Sequence, residues 1–236
     1  MNQIIPKKPP LTSKHKIYYD RGNLPLLELL DNTCHKILDV GCGAGGNARL
    51  LSQLRPNLKI YGITISSDEA AIASQYMEKC WVADIEESDL GFLDGYSFEC
   101  LLMSHVLEHL REPDIQLARL GNFLKVGGSL LIAVPNIVFF QQRVKSMCGI
   151  FEYEETGITD KTHLRFFTYY TADKYLFKAT PEIKLLSKGV TGSLPFGKLR
   201  RYFLPSKVNA WFDRLGCAMF PNLFGSQIIL KATKIR

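Results

Sequence analysis

At 236 residues with 46% hydrophobic and 22% charged side chains, the chain fits one large α/β domain, or such a domain with a small appendage, and can bury a sizeable core. No apolar run approaches the roughly 18 to 20 residues of a membrane span, the longest candidate (130–140) being broken by Pro135 and Asn136, and the start MNQIIPKKPP lacks the apolar stretch of a secretory leader. The six cysteines are scattered without a C-x-x-C pair, and the net charge of +6 gathers in residues 191–236, which hold eight Lys/Arg against one acid with no basic block; this reads as a reduced, soluble, cytoplasmic protein with no nucleic-acid partner.

Residues 1–13, rich in Pro and Lys, are expected to be a flexible N-terminus, and 14–236 a single domain. Apolar positions between Lys14 and Leu30 suggest one or two short helices, with Tyr18, Tyr19 and Arg21 among them. Ile37 to Val40 then reads as a buried strand running into a glycine-rich turn, with Asn47 to Leu54 continuing at helical spacing. Glycines at 41, 43 and 45 remove the Cβ atoms that would hold a ligand off the backbone. They also permit φ > 0 and leave amide N–H groups at a helix N-terminus facing a nucleotide-like ligand. The spacing is G-x-G-x-G, although Gly46 also completes the G-x-G-x-x-G of dinucleotide folds, so the turn alone leaves both ligand types open.

Lys59 to Ile65 fits a second parallel strand, Asp68 to Met77 a helix, Cys80 to Ile85 a short third strand and Phe98 to Met103 a fourth. In open α/β sheets ligands sit beyond the C-terminal ends of the strands, so Ser104 to His109, directly after the fourth strand, face the reacting group. Asp114 to Leu124 is an amphipathic helix and Ser129 to Val134 the fifth strand. Thr168 or Thr171 caps a helix running to about Ala179, which Pro181 stops. Ile183 to Val190 and Gly225 to Thr233 are strands six and seven. In the insertion between them, 191–224, Val208, Trp211, Phe212, Leu215, Ala218 and Met219 form one apolar stripe after Ser206 as N-cap. Gly216 in mid-helix costs about 1 kcal/mol relative to Ala, which marks that helix as marginal.

Asp39-Val40-Gly41-Cys42-Gly43-Ala44-Gly45 resembles motif I of the class I S-adenosylmethionine-dependent methyltransferases. The resemblance implies a Rossmann-like α/β sheet of seven strands, the last antiparallel and inserted, with S-adenosyl-L-methionine as cofactor. By the same resemblance Asp39, Gly41, Gly43 and Gly45 hold the amino-acid end of the cofactor, and Tyr19 on the N-terminal helix closes over its carboxylate. The family's usual acid for the ribose hydroxyls falls on Thr64, within Gly62-Ile63-Thr64-Ile65-Ser66, a spelling similar to that of cyclopropane-fatty-acid synthase relatives. Asp84 is implied to accept from the adenine amino group, Ile65 and Ile85 to sandwich the ring, and Ser104 to line the cofactor edge.

Val106-Leu107-Glu108-His109-Leu110 resembles the same place in small-molecule O-methyltransferases, where Glu is usual at the position of His105. His105-x-x-Glu108-His109 also spells the inverted zincin signature, with two histidines four apart on one helical face. That reading fails for want of a long helix and a distant third ligand, so no metal is expected. Relatives with E-x-x-E-H leave a divalent cation as a lesser alternative, which the histidine would shift from Mg²⁺ toward Zn²⁺. The segment 136–170, on the substrate side, contains Phe151-Glu152-Tyr153 and Asp160-x-Thr162-His163-Leu164-Arg165-Phe166-Phe167-Thr168, resembling methyltransferases of bacterial glycan and O-antigen clusters. The [DNS]-P-P-[YFW] of enzymes acting on exocyclic amines of DNA bases is missing after the fourth strand.

The expected chemistry is O-methylation of a sugar, glycan or related small molecule, with His163 or His109, and after them His105, as general base. A lipid or quinone-like acceptor is the alternative within the class. Outside it stand a non-catalytic cofactor-binding protein and an NAD-dependent oxidoreductase, the latter disfavoured because Thr64 is not an acid. The basic amphipathic insertion is expected outside the main core, as a cover for the site, a homodimer contact or a peripheral membrane contact, with ordinary packing as the plain alternative.

Overall fold

The computed structural model describes residues 21–236, the side chains of Lys198 and Arg201 excepted; Tyr19 and the stretch 1–13 lie outside the described residues. The sheet grows in both directions from β1 (Lys36–Val40), whose last four residues are all buried. A strand covered on both faces has no solvent side on which to place polar groups, hence the continuous run Ile37-Leu38-Asp39-Val40. β2 (Lys59–Thr64) and β3 (Lys79–Val82) extend it one way, and β4 (Phe98–Ser104) and β5 (Leu124–Pro135) the other, all parallel. Beyond β5, β7 (Gly225–Lys234) runs antiparallel between β5 and β6 (Ile183–Gly192). The seven-stranded order is β3-β2-β1-β4-β5-β7-β6, with the last strand inserted and antiparallel as expected.

Side-chain alternation along each strand divides the core into two layers. Leu38, Val40, Leu101, Met103 and Ile132 pack on one face with Leu107, Leu120 and Leu176. Ile37, Cys100, Leu102, Leu131 and Ala133 pack on the other with Leu26, Leu27, Ala48 and Leu51. The second layer is closed by α1 (Leu24–Leu27) and α2 (Gly46–Leu54). α3 (Ser67–Ala73) follows β2, α4 (Pro113–Gly121) precedes β5, and α5 (Phe140–Met147) and α6 (Ala172–Leu176) lie between β5 and β6.

Boundaries differ from expectation where a local polar group ends an element. α3 stops at Ala73, four residues before Met77, because the Ser74 hydroxyl takes the Ala70 carbonyl at 2.7 Å. β3 stops at Val82, since Asp84 turns the chain by accepting the Glu86 amide on its carboxylate (2.9 Å) and the Ser88 amide on its carbonyl (2.9 Å). β5 starts at Leu124, ahead of the expected Ser129, and α5 was not foreseen. α6 is five residues long and ends at Leu176. Four of the cysteines are buried, as expected of core residues, but Cys148 is exposed.

The insertion folds as α7 (Gly197–Phe203), α8 (Ser206–Met219) and α9 (Pro221–Phe224). Pro205, not Ser206, is the N-cap of α8. The stripe faces solvent: Trp211 is 58% exposed and Met219 61%, while the buried residues of α8 are Asn209, Gly216 and Cys217. Gly216 has a packing reason, because a Cβ there would lie 2.5 Å from Leu194 Cδ2. Among the described residues no helix is long and apolar enough to cross a membrane.

Candidate active site

The turn after β1 holds three glycines with left-handed backbone: φ is +69° at Gly41, +52° at Gly43 and +82° at Gly45. Gly45 is the N-cap of α2, so the turn delivers the chain onto a helix N-terminus, where amide groups favour an anionic ligand group. The Cys42 amide donates to the Ile63 carbonyl at 2.9 Å and anchors the turn on β2. A Cβ on Gly41 would lie 2.3 Å from Val106 Cγ2, and one on Gly45 2.9 Å from Ala73 Cα. The turn is therefore pressed between the outlet of β4 and α3, and side chains at these glycines would push it out of place. Asp39, just before the turn, is 1% exposed.

At the end of β2 the Thr64 hydroxyl, buried, donates to Glu69 Oε2 at 2.6 Å. The carboxylate missing from the strand end thus returns from the first turn of α3, where Ser66 accepts the Glu69 amide at 3.4 Å. Ser66-x-x-Glu69 has the spacing of a capping box, and that was the signal in the sequence that would have found Glu69. Asp84 stands half-buried after β3, and Ile65 is half-buried. Ile85 belongs to the main core with Trp81 and Leu90. Ser104 accepts from Asn23 Nδ2 at 3.1 Å, while Asn23 also donates its backbone amide to Asn47 Oδ1 (2.9 Å) and Nδ2 to Gln227 Oε1 (2.9 Å). Asn23 ties the start of α2 to the ends of β4 and β7, and no periodicity or motif marks it in the sequence.

The chain leaves β4 through His105 at φ +56°, a left-handed conformation costly for a non-glycine residue. A 3₁₀ turn, Leu107–His109, follows instead of an α-helix. The two histidines of H-x-x-E-H consequently do not share a helical face, contrary to the sequence expectation. His105 spans Glu108 and Gln227, with Nδ1 3.2 Å from Glu108 Oε1 and Nε2 2.9 Å from Gln227 Oε1. Glu108 is fully buried, and its carbonyl accepts the amides of Leu164 (2.8 Å) and Arg165 (3.0 Å), which clips the 158–165 loop against the outlet of β4.

That clip brings His163 to His109, the rings meeting edge to face with centroids 4.7 Å apart. His163 Nδ1 lies 3.0 Å from the Ile158 carbonyl, so Nδ1 carries the proton. The Thr162 hydroxyl donates to Asp160 Oδ1 (2.6 Å), so its oxygen accepts from His109 Nδ1 (2.9 Å). Burial pushes the pKa of His109 below its ordinary 6.5, partly offset by the Glu108 charge. Three of the expected site residues, His105, His109 and His163, thus gather around Glu108, which the sequence marked only as part of the H-x-x-E-H spelling.

The methyltransferase domain family matches this chain at residues 38–130, from within β1 to the start of the paired part of β5. The match covers less than half of the chain, whose fold is that of the class I methyltransferases. Trans-aconitate 2-methyltransferase of Deinococcus radiodurans is 31% identical over 100 residues, 42% of this chain and 38% of that protein. The first curated relatives are matched over only 25% to 38% of their own length. A methyltransferase from Archaeoglobus fulgidus shares the fold at TM-score 0.57 and 18% identity over 89% of each chain. The plantazolicin methyltransferase BpumL in complex with S-adenosylhomocysteine does so at 0.57 and 16%, over 90% of this chain and 80% of that one.

Within the methyltransferase domain the residues present fit the cofactor. The left-handed glycine cradle, the Thr64–Glu69 pair and Asp84 stand at the C-terminal ends of three adjacent strands, β1, β2 and β3. That row offers backbone donors for a carboxylate and side-chain acceptors for hydroxyl and amino groups.

Proposed function

We propose that the chain methylates a hydroxyl group on a polar, hydroxylated acceptor such as a sugar or glycan. The observation that carries this reading is the His105–Glu108–His109–His163 cluster at the outlet of β4, beside the turn that Val106 packs against. When bound, S-adenosylmethionine supplies a methyl carbon on a positively charged sulfur; the acceptor oxygen bonds to that carbon, the C–S bond breaks with its electron pair left on sulfur, and the hydroxyl proton departs. The glycine turn with Asp39 positions the amino-acid end, Thr64 and Glu69 receive the ribose hydroxyls, and Asp84 the adenine amino group. Ser104, fixed by Asn23, shapes the edge next to the methyl.

Proton removal falls to an imidazole of the cluster. His109 is the better placed of the two candidates sharing Glu108, since its Nδ1–H is bound to Thr162 and its Nε2 lone pair is left for the acceptor. His163 is only 9% exposed, and His105, engaged at both ring nitrogens, acts as a positioning residue. Exposed Phe151 and Tyr153, beside Glu152 and Glu155, offer ring faces and carboxylates suited to a sugar. A lipid-linked acceptor is favoured by a separate feature, the solvent-facing Phe196, Tyr202, Phe203 and Trp211 of the basic insertion. We take the reaction to be cytoplasmic, a reading supported by six scattered cysteines without a C-x-x-C pair.

Calorimetry with S-adenosylmethionine and with NAD, followed by mass spectrometry of hydroxylated acceptors incubated with methyl-labelled cofactor, tests the reading. Binding of the first cofactor alone and label on an acceptor oxygen are expected. Absence of S-adenosylmethionine binding overturns the reading, and cofactor binding without transfer to any hydroxyl or amine leaves the non-catalytic alternative.

A further inference from the structure

We infer that Glu108, His109 and His163 form a binding site for one divalent transition-metal ion, with Zn²⁺ the best match. One donor atom from each of the three lies within 4.8 Å of the others. Ligands on a common zinc ion, each at about 2.0 to 2.2 Å, stand roughly 3 to 4 Å apart. The three groups therefore close on an ion by shifts of an ångström or less, without moving the backbone of β4.

The hydrogen bonds around the cluster decide which atoms are offered. His163 gives its Nδ1 proton to the Ile158 carbonyl, and His109 gives its own to Thr162 Oγ1, whose hydroxyl is in turn held by Asp160. Both rings thus keep their Nε2 lone pairs for a ligand, the arrangement by which outer groups fix the tautomer of metal-binding histidines. His163 Nε2 lies 3.9 Å from Glu108 Oε1, too long for a hydrogen bond. A direct bond there would also need a second ring proton.

The carboxylate supplies an independent observation. Glu108 is fully buried, its Oε1 faces His105, and its Oε2 has no hydrogen-bond partner among the described residues. Leaving a buried carboxylate oxygen unsatisfied is costly, and a cation between it and the two imidazoles removes that cost. Two imidazoles and one carboxylate favour Zn²⁺, Fe²⁺ or Co²⁺ over Mg²⁺, and three protein ligands leave a coordination position open. His105, bound to Gln227, orients Glu108 from behind.

The cluster stands at the outlet of β4, the edge at which the methyl-transfer reading puts the acceptor. There the ion would bind the acceptor oxygen and lower the pKa of its hydroxyl, so that the proton passes to solvent water and the two imidazoles serve as ligands rather than as a base. This catalytic role rests on the methyl-transfer reading; uptake of the ion does not.

The test uses the full chain stripped with chelator and titrated with Zn²⁺, Mg²⁺ and Co²⁺, with S-adenosylmethionine affinity measured on the same samples. One Zn²⁺ per chain is expected, with Mg²⁺ at least ~100-fold weaker. His109→Ala and His163→Ala should each weaken Zn²⁺ binding by ~100-fold or more. Thr162→Val, on the exposed loop, removes the hydroxyl partner of His109 Nδ1 and leaves it only the Thr162 carbonyl at 3.3 Å, and should cost about 10-fold. Cofactor affinity should stay within about twofold in all three variants, which also reports that they are folded. Co²⁺ should show d–d bands without a thiolate charge-transfer band, which excludes binding at the Cys42–Cys80 pair, 3.6 Å apart. Failure of the stripped protein to take up Zn²⁺, uptake indifferent to all three substitutions, or a thiolate band would each overturn the inference. If any of these is found while the cofactor still binds, the methyl-transfer reading stands; Zn²⁺ uptake without cofactor binding has the opposite consequence.

Discussion

The two halves of the sheet's C-terminal edge are built on different principles. On the proposed cofactor half, each candidate contact comes from a short stretch beside its own strand: the glycine turn after β1, Thr64 and Glu69 after β2, Asp84 after β3. Backbone conformation does much of the work there, with three left-handed glycines in succession. On the acceptor half, the group at the outlet of β4 is assembled from residues 105–109 and 158–163 and steadied from Gln227, joined by hydrogen bonds spanning 53 and 122 positions. The contrast implies that the first half fails through local steric change and the second through loss of distant support.

The largest effect should come from the first half. Gly43 sits at φ +52°, so Gly43→Val strains the turn and sets a branched side chain against the ligand. S-adenosylmethionine affinity should fall by at least ~100-fold, about 2.7 kcal/mol, with the circular dichroism of the fold retained. Unchanged affinity would break the comparison at its root.

Next comes the acceptor half. His109→Ala should lower turnover by roughly 10² to 10⁴ while leaving cofactor affinity nearly constant, as expected for a group acting on the acceptor proton directly or through an ion. A variant with near-normal single-turnover rates would show that alignment alone suffices. Chelator-treated parent protein sharpens the result: lost turnover restored by Zn²⁺ assigns the histidines as ligands, and undiminished turnover keeps His109 as base.

A smaller effect separates the two carboxylates of the cofactor half. Glu69→Ala removes the partner of the buried Thr64 hydroxyl as well as a group for the ribose, and should weaken cofactor binding by about 1 to 3 kcal/mol in a calorimetric titration. Asp84→Ala should cost less, because part of that carboxylate is already engaged with the Glu86 amide. The reverse order would mean that Thr64 and Glu69 serve the fold rather than the ligand.

The smallest expected effect lies outside both halves and serves as their control. Hydrogen bonds from Lys231 and Ser129 hold Asp31 below the ordinary carboxylate range. A depressed folded-state pKa contributes stability that is present above the unfolded value near 3.9 and is lost as pH falls through the lower folded value. With the carboxylate 44% exposed, solvent screening keeps the contribution below about 1 kcal/mol. Asp31→Asn should therefore lower thermal stability slightly at pH 7 and flatten its decline on acidification below about pH 4, without changing cofactor affinity.

Sequence alone determined what local chemistry determines. Ile37 to Leu54 spell a buried strand, a turn only glycine can make and a helix, because period, apolarity and the missing Cβ are all properties of neighbouring residues. The same logic recovered the parallel strands, and family resemblance supplied the antiparallel, inserted last strand. Element ends were read less well, since Ser74 and Asp84 end α3 and β3 through local hydrogen bonds that periodicity does not register. Gly216, which in sequence only weakens a helix, proved to be where α8 meets Leu194, and the stripe beside it faces solvent. Tertiary structure alone decided the acceptor half: H-x-x-E-H suggested two histidines on one helix, whereas a 3₁₀ turn parts them and the Glu108 carbonyl draws in His163 from 55 residues away. The physical reason is that a ring's free nitrogen and a carboxylate's open oxygen are set by which distant donors and acceptors occupy the other positions, and those partners exist only once the chain has folded.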